Sequence, residues 1–223
     1  MIKIYLPLLG LLLFASCGPP RLITKGVPVN TPDYIVKTDG KQVDVTHIKS
    51  LNEATVTVNT HTGKADTTYS LANLSGIKMD DGYLGVQDGK TYTGVYYGRL
   101  ILLKRFAGIS YDMNTHRSHA TYRYYLQKQG QPEIVDLNNS NLIDYVQDNP
   151  LALRKAKSAR IFTDITFASC ITAIGGLSCV FLPYSNHLRK PAVTAGLFAL
   201  PTFLITLPIA SHKRYKTIFV YNQ

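Results

Sequence analysis

The stretch "IFTDITFASCITAIGGLSCVFL", residues 161–182, decides how this chain folds. It holds a single charge, Asp164, and is otherwise apolar on every side. A helix built from it has no face that prefers water. A second stretch, "AVTAGLFALPTFLITLPIA" at 192–210, follows a short connection and carries no charge. A hydrocarbon core of about 30 Å takes roughly 20 helical residues to cross. Both stretches meet that length, and the short link makes them antiparallel neighbours. They predict a two-helix transmembrane hairpin.

Asn149 and Pro150 form a good N-cap and first-turn pair, so the first helix is expected over 150–182. At 1.5 Å per residue it is about 50 Å long, more than the hydrocarbon thickness. Its first turns, with Arg154, Lys155, Lys157 and Arg160, therefore belong in headgroups or water. The second helix is expected over 191–211, bent at Pro201, followed by a C-terminal tail over 212–223. Ser169 with Ala173, and Ala192 with Gly196, supply small-residue spacings that let helices approach closely. Asp164 follows Arg160 by four residues, which predicts an interfacial ion pair. A proton or ion site is the other use of a charge inside a membrane segment.

The net charge of +10 is unevenly placed. Residues 18–150 hold 14 Lys+Arg against 13 Asp+Glu, whereas 151–223 hold nine against Asp164 alone. A basic excess confined to the most apolar part of the chain is a membrane signature, because anionic headgroups attract it. No basic stripe lies on the polar part, so nucleic acid is not expected as a partner. Cys17, Cys170 and Cys179 are the three cysteines. With none in the polar part, neither a disulfide framework nor a thiolate metal site is indicated.

Met1–Ser16 reads as a secretory signal, with Lys3 as its positive region and Ile4–Phe14 as its apolar region. Phe14-Ala15-Ser16-Cys17 resembles the bacterial lipobox, departing from it at Phe14, where Leu is usual. That resemblance implies cleavage before Cys17 and acylation of Cys17 with long chains such as palmitate. More than one chain makes such an anchor stable. Gly18-Pro19-Pro20 suits an extended tether over 17–32.

Residues 33–138 read as short strands separated by turns. Tyr34–Lys37 and Val43–Val45 flank Asp39-Gly40, a favoured hairpin turn. Ala54–Val58, Thr67–Leu71, Tyr83–Val86, Thr91–Tyr97, Leu100–Leu103, Ile109–Met113, Tyr122–Leu126 and Ile134–Leu137 continue the pattern. Asp80-Asp81-Gly82 and Asp88-Gly89 mark further turns. An antiparallel domain of eight to ten strands is expected, closed as a small barrel or stacked as a sandwich. A short helix over 139–149, capped near Ser140, leads into the hairpin. The fold class is α+β, membrane-anchored.

Chemistry is sparsely signalled. His116 and His119 lack a third ligand, so no metal is expected. No phosphate loop, nucleophile elbow or zinc spacing occurs, and neither an enzyme nor a cofactor is expected. Tyrosine is abundant, at 15 residues. Tyr92, Tyr96, Tyr122 and Tyr124 are the candidate ligand-binding rings, since tyrosine joins a large apolar area to a polar tip.

Tyr34-Ile35-Val36, Tyr124-Tyr125-Leu126, Asp148-Asn149-Pro150 and Tyr221-Asn222 together are similar to pieces of uncharacterised envelope lipoproteins of Bacteroidota-type bacteria. The resemblance implies an envelope location and brings no catalytic residues. The expected role is a lipid-anchored envelope protein with a periplasmic β domain, a structural or accessory subunit in contact with membrane lipids and an envelope protein partner. The alternative is a module that binds peptide, glycan or lipid through its Tyr-rich sheet.

Overall fold

The computed structural model describes residues 32–60, 66–79, 82–113, 116–181 and 188–223. Cys17, the signal peptide and nearly all of the expected tether lie outside the described residues, as do Asp80 and Asp81. Two compact units are present. One runs to Tyr145 and regains the chain at Tyr221–Gln223; the other is Val146–Val220.

The first unit is a ten-stranded antiparallel sheet. Its strands are β1 (Asp33–Lys37), β2 (Gln42–Leu51), β3 (Thr55–Thr60), β4 (Thr67–Ser70), β5 (Leu74–Met79), β6 (Gly82–Gln87), β7 (Lys90–Tyr96), β8 (Leu100–Asp112), β9 (Arg117–Lys128) and β10 (Ile134–Asp136). They lie in the order β10-β9-β8-β7-β6-β5-β1-β2-β3-β4. The turns have the expected chemistry. Gly40 takes φ +81° beside a Gly40 N–H bond to Lys37 O, and Asp88 and Gly89 both take positive φ, as a tight two-residue hairpin requires.

The sheet is not the closed barrel expected from the sequence, nor two stacked sheets. It carries a buried core on each face, and β5 and the start of β8 are buried on both. Ile35 pairs with Ile77, and Ile77 with Leu84, so these share one face. That face carries the core of Ile35, Val45, Val56, Val58, Leu71, Leu74, Ile77 and Val86. Tyr83 and Gly85 alternate with Leu84 and Val86 on β6 and so point the other way. On that second face lies the core of Tyr83, Tyr92, Ile101, Leu103 and Ile134. The edge strands β4 and β10 are only four and three residues long, which limits pairing with other chains.

Two further differences from the sequence reading have plain causes. Leu74–Met79 is a strand buried along nearly its whole length, in a segment outside the expected strand series. Strand β8 joins two segments expected to be separate, because a bulge between Phe106 and Gly108 keeps pairing continuous with β9.

The sheet unit ends in α1 (Asn139–Tyr145), and the second unit holds α2 (Pro150–Ser178) and α3 (Arg189–Tyr221), whose last residue, Tyr221, returns to the sheet unit. Asn149 Oδ1 accepts from the N–H groups of Leu151 and Ala152 at 3.1 Å, and Pro150 fills the first turn. Gly175 and Gly176 do not break α2, which ends in a 3-10 turn at Cys179–Phe181. Helix α3 runs through Pro201 and Pro208 and continues to Tyr221, where a tail was expected. Residues 211–220 contain no Gly or Pro to stop it.

Candidate functional site

The four candidate tyrosines do not gather on one surface. Tyr92 is buried in the second core, its ring edge-on to Tyr125 at 4.9 Å. Tyr96 is also buried but pairs with Leu102, which sets it on the opposite face from Tyr92. Tyr124 is half-buried, and Tyr122 is exposed under Lys104, 4.8 Å from its ring centroid.

Other tyrosines form the concave site. A cleft of about 260 Å³ opens on the second face, between β1 on one side and β8, β9 and the turn after β9 on the other. Tyr34, Tyr83 and Tyr97 supply its aromatic walls, and Gln42, Gln127, Gln129 and Gln131 its amides. The hydroxyls of Tyr34 and Tyr97 are hydrogen-bonded to each other. Tyr83 donates to Gln127 Oε1 at 3.1 Å, while Gln127 Nε2 donates to Ser75 O at 3.0 Å and to Gln131 O at 3.1 Å. Gln129 Nε2 reaches the Tyr97 hydroxyl at 3.3 Å.

Burial pushes the Tyr34 and Tyr83 phenols well above the usual tyrosine range, and the neighbouring Tyr97 adds to both shifts. Both therefore stay protonated, and each keeps a donor. Among the described residues, no charged side chain lines the cleft. Neutral amides, phenols and ring faces suit an uncharged polar ligand, not a phosphate or carboxylate.

Glycine makes room for this arrangement. A Cβ on Gly76 would lie 2.1 Å from the Tyr83 hydroxyl, and one on Gly85 would lie 2.7 Å from Leu103 Cδ1. Glycine inside a strand marks such close approach, and this was the available sequence signal for the cleft. The residues themselves come from five separated segments, which no local spacing reveals.

The C-terminus completes the sheet unit. Asn222 Oδ1 accepts from Leu100 N at 2.8 Å, and its Nδ2 donates to Leu100 O at 2.8 Å. One side-chain amide thus satisfies both backbone groups of the first β8 residue, as a neighbouring strand would. Tyr221 is buried, with Arg99 and Lys128 5.5 and 5.7 Å from its ring centroid.

Strands β8 and β9 also project as a two-stranded arm. From Arg105 to Asp112, and from Arg117 to Arg123, nearly every residue is exposed. Phe106, Ile109, Tyr111 and Met113 are exposed there at 57, 71, 58 and 81%, among Lys104, Arg105, Arg117 and Arg123. His116 Nδ1 bonds the Tyr111 hydroxyl at 3.0 Å. His119 is exposed on the same arm. Among the described residues, no three His, Cys, Asp or Glu side chains cluster to hold a metal.

The helix pair has its polarity inverted. Apart from Ile218 and the terminal Tyr221, the described residues buried on the pair are small or hydroxylated: Ala152, Ala156, Ala159, Thr166, Ala173 and Gly176 from α2, and Gly196, Thr206, Ala210 and Thr217 from α3. Thr166 donates to Thr206 at 2.9 Å in the buried seam. Gly176 and Gly196 meet backbone to backbone, so Ala173 and Gly196 of the small-residue pairs read from the sequence do lie at the interface. Phe167, Ile174, Phe181 and Phe198 face outward, with Phe198 76% exposed. Both helices are long and apolar enough to cross a membrane, yet only 17 and 11% of their most apolar windows are buried. In water this arrangement would expose what should be buried; in lipid it is the expected one. Arg160 and Asp164 both lie on the outward surface, one turn apart.

No family model, curated protein or solved structure matches this chain.

Proposed function

We propose that this is a lipid-anchored protein of the bacterial cell envelope, an accessory subunit whose helix pair sits in the bilayer and whose sheet unit works in the periplasm. The observation that carries the membrane part is the inverted helix pair, with threonines inside and phenylalanines outside. The lipobox-like Phe14–Cys17 supports a second attachment through acyl chains on Cys17. The apolar and cationic β8–β9 arm supports the accessory role, because exposed apolar groups of that size mark partner surfaces.

Topology follows from chain connection. The sheet unit ends at Tyr145, and Tyr221–Gln223 belong to it again, with Asn222 bound to Leu100. Two crossings return the chain to the side it left. Seven basic residues then share that side: Arg154, Lys155, Lys157, Arg160, Lys213, Arg214 and Lys216. This opposes the positive-inside tendency, but long exported domains translocate largely regardless of charge.

The test uses single cysteines at Ser70 and Gln223, both exposed, with Cys170 and Cys179 replaced by serine. An impermeant thiol reagent should label both once the outer membrane is opened. Labelling of either one only after the inner membrane is opened would overturn the periplasmic assignment.

A further inference from the structure

Near the N-terminal part of α2 and the C-terminal part of α3, a groove of about 330 Å³ is lined by residues of both helices. Its lining is Lys155, Pro208, Ile209, His212, Lys213 and Lys216. Three ammonium groups and an imidazole thus share one lining with two apolar residues, Lys155 from α2 and the rest from a single stretch of α3. Lys213 is held in place: its Nζ donates to Ser158 Oγ at 3.0 Å and lies 4.7 Å from the Phe162 ring centroid. Among the described residues, Lys155, His212 and Lys216 have no carboxylate within ion-pair distance, and Asp164 is the one acid on either helix. Placing like charges together in this way is unfavourable unless an anion joins them.

We infer that this groove binds the phosphate headgroup of an anionic phospholipid. The reading rests on the helix pair being in a membrane. His212, Lys213 and Lys216 occupy the turns that follow the apolar stretch of α3, and Lys155 the turns that precede that of α2, the level at which headgroups lie. Pro208 and Ile209 stand one turn further into that stretch, where the first carbons of an acyl chain would pass. A free phosphate would use the cations but leave the apolar lining without a purpose, and a zwitterionic lipid brings its own cation to the site.

Full-length protein, delipidated in nonionic detergent, is titrated with phosphatidylglycerol or phosphatidylcholine, and bound lipid is counted by native mass spectrometry. Each cation near a headgroup contributes roughly fivefold in affinity, so losing two costs roughly 25-fold. We expect phosphatidylglycerol to be preferred by wild type, and Lys155→Gln with Lys216→Gln to bring the two lipids to parity. Both side chains are exposed and the helical circular dichroism should be unchanged. Equal affinity of wild type for the two lipids, or an undiminished preference in the double variant, would overturn the site. Displacement of the lipid by millimolar inorganic phosphate would also overturn it, in favour of a free-phosphate site. Failure of the membrane reading shows separately, as wild-type protein that stays dispersed and helical without detergent.

Discussion

Lys78→Met is expected to lower the stability of the sheet unit by about 3–5 kcal/mol, the usual cost of removing one partner from a buried ion pair. The Lys78 side chain is 1% exposed and that of Asp33 7%, and Lys78 Nζ lies 3.9 Å from Asp33 Oδ1. The same ammonium donates to Pro32 O at 3.3 Å. Methionine has the length to fill the space, so packing is nearly conserved while the cation beside the carboxylate is lost. Adding Asp33→Asn to Lys78→Met should recover most of the loss, because it removes the charge that is costly to bury. Urea titration of the full chain in nonionic detergent, followed by the near-ultraviolet tyrosine signal, measures both variants. A loss under 1 kcal/mol for Lys78→Met would mean that the pair is not buried in solution.

Gly176→Leu is expected to separate the helix pair. A Cβ at Gly176 would lie 2.3 Å from Ala192 O and 2.7 Å from Gly196 Cα, both backbone atoms that cannot swing aside. Overpacking of this kind costs about 1–3 kcal/mol or more, and association of membrane helices rests on close packing and a few hydrogen bonds. Gly175→Leu is the matched control, because nothing lies within 4 Å of a Cβ at Gly175. Cysteines at Thr166 and Thr206, which touch in the seam, report the pairing through disulfide formation, with Cys170 and Cys179 replaced by serine. The crosslinking rate should fall at least roughly tenfold in Gly176→Leu, corresponding to 1.4 kcal/mol or more, and stay near wild type in Gly175→Leu. Equal rates in the two variants would remove Gly176 from the crossing point.

How much of this was legible in the sequence differs between the two units. The helices declare themselves locally, because twenty apolar residues and an Asn149–Pro150 cap act within one segment. The seam was half legible: Ala173 and Gly196 stood out as small, but the role of Thr166 and Thr206 depends on which residues face each other across forty positions. Turns such as Asp39-Gly40 and Asp88-Gly89 were legible for the same local reason. Strand order was not. Placing β1 between β5 and β2 depends on long-range pairing, and that placement turns a meander into an open sheet with a core on each face. The cleft suffers most. Tyr34 and Tyr97 are 63 residues apart, and Tyr83 and Gln127 are 44 apart. Alternation along β7 and β9 drew attention instead to Tyr92, Tyr96, Tyr122 and Tyr124, which the sheet distributes between core and arm.

The central claim is that the exposed apolar surface of the helix pair lies in lipid, and the chain contains no tryptophan to obscure an optical test. Phe198→Trp places one indole at a position 76% exposed on the outward side of α3. In vesicles containing the full-length protein, the account predicts blue-shifted emission, quenched by lipids brominated along their acyl chains and insensitive to aqueous acrylamide. Red-shifted emission that acrylamide quenches and brominated lipid does not would contradict it.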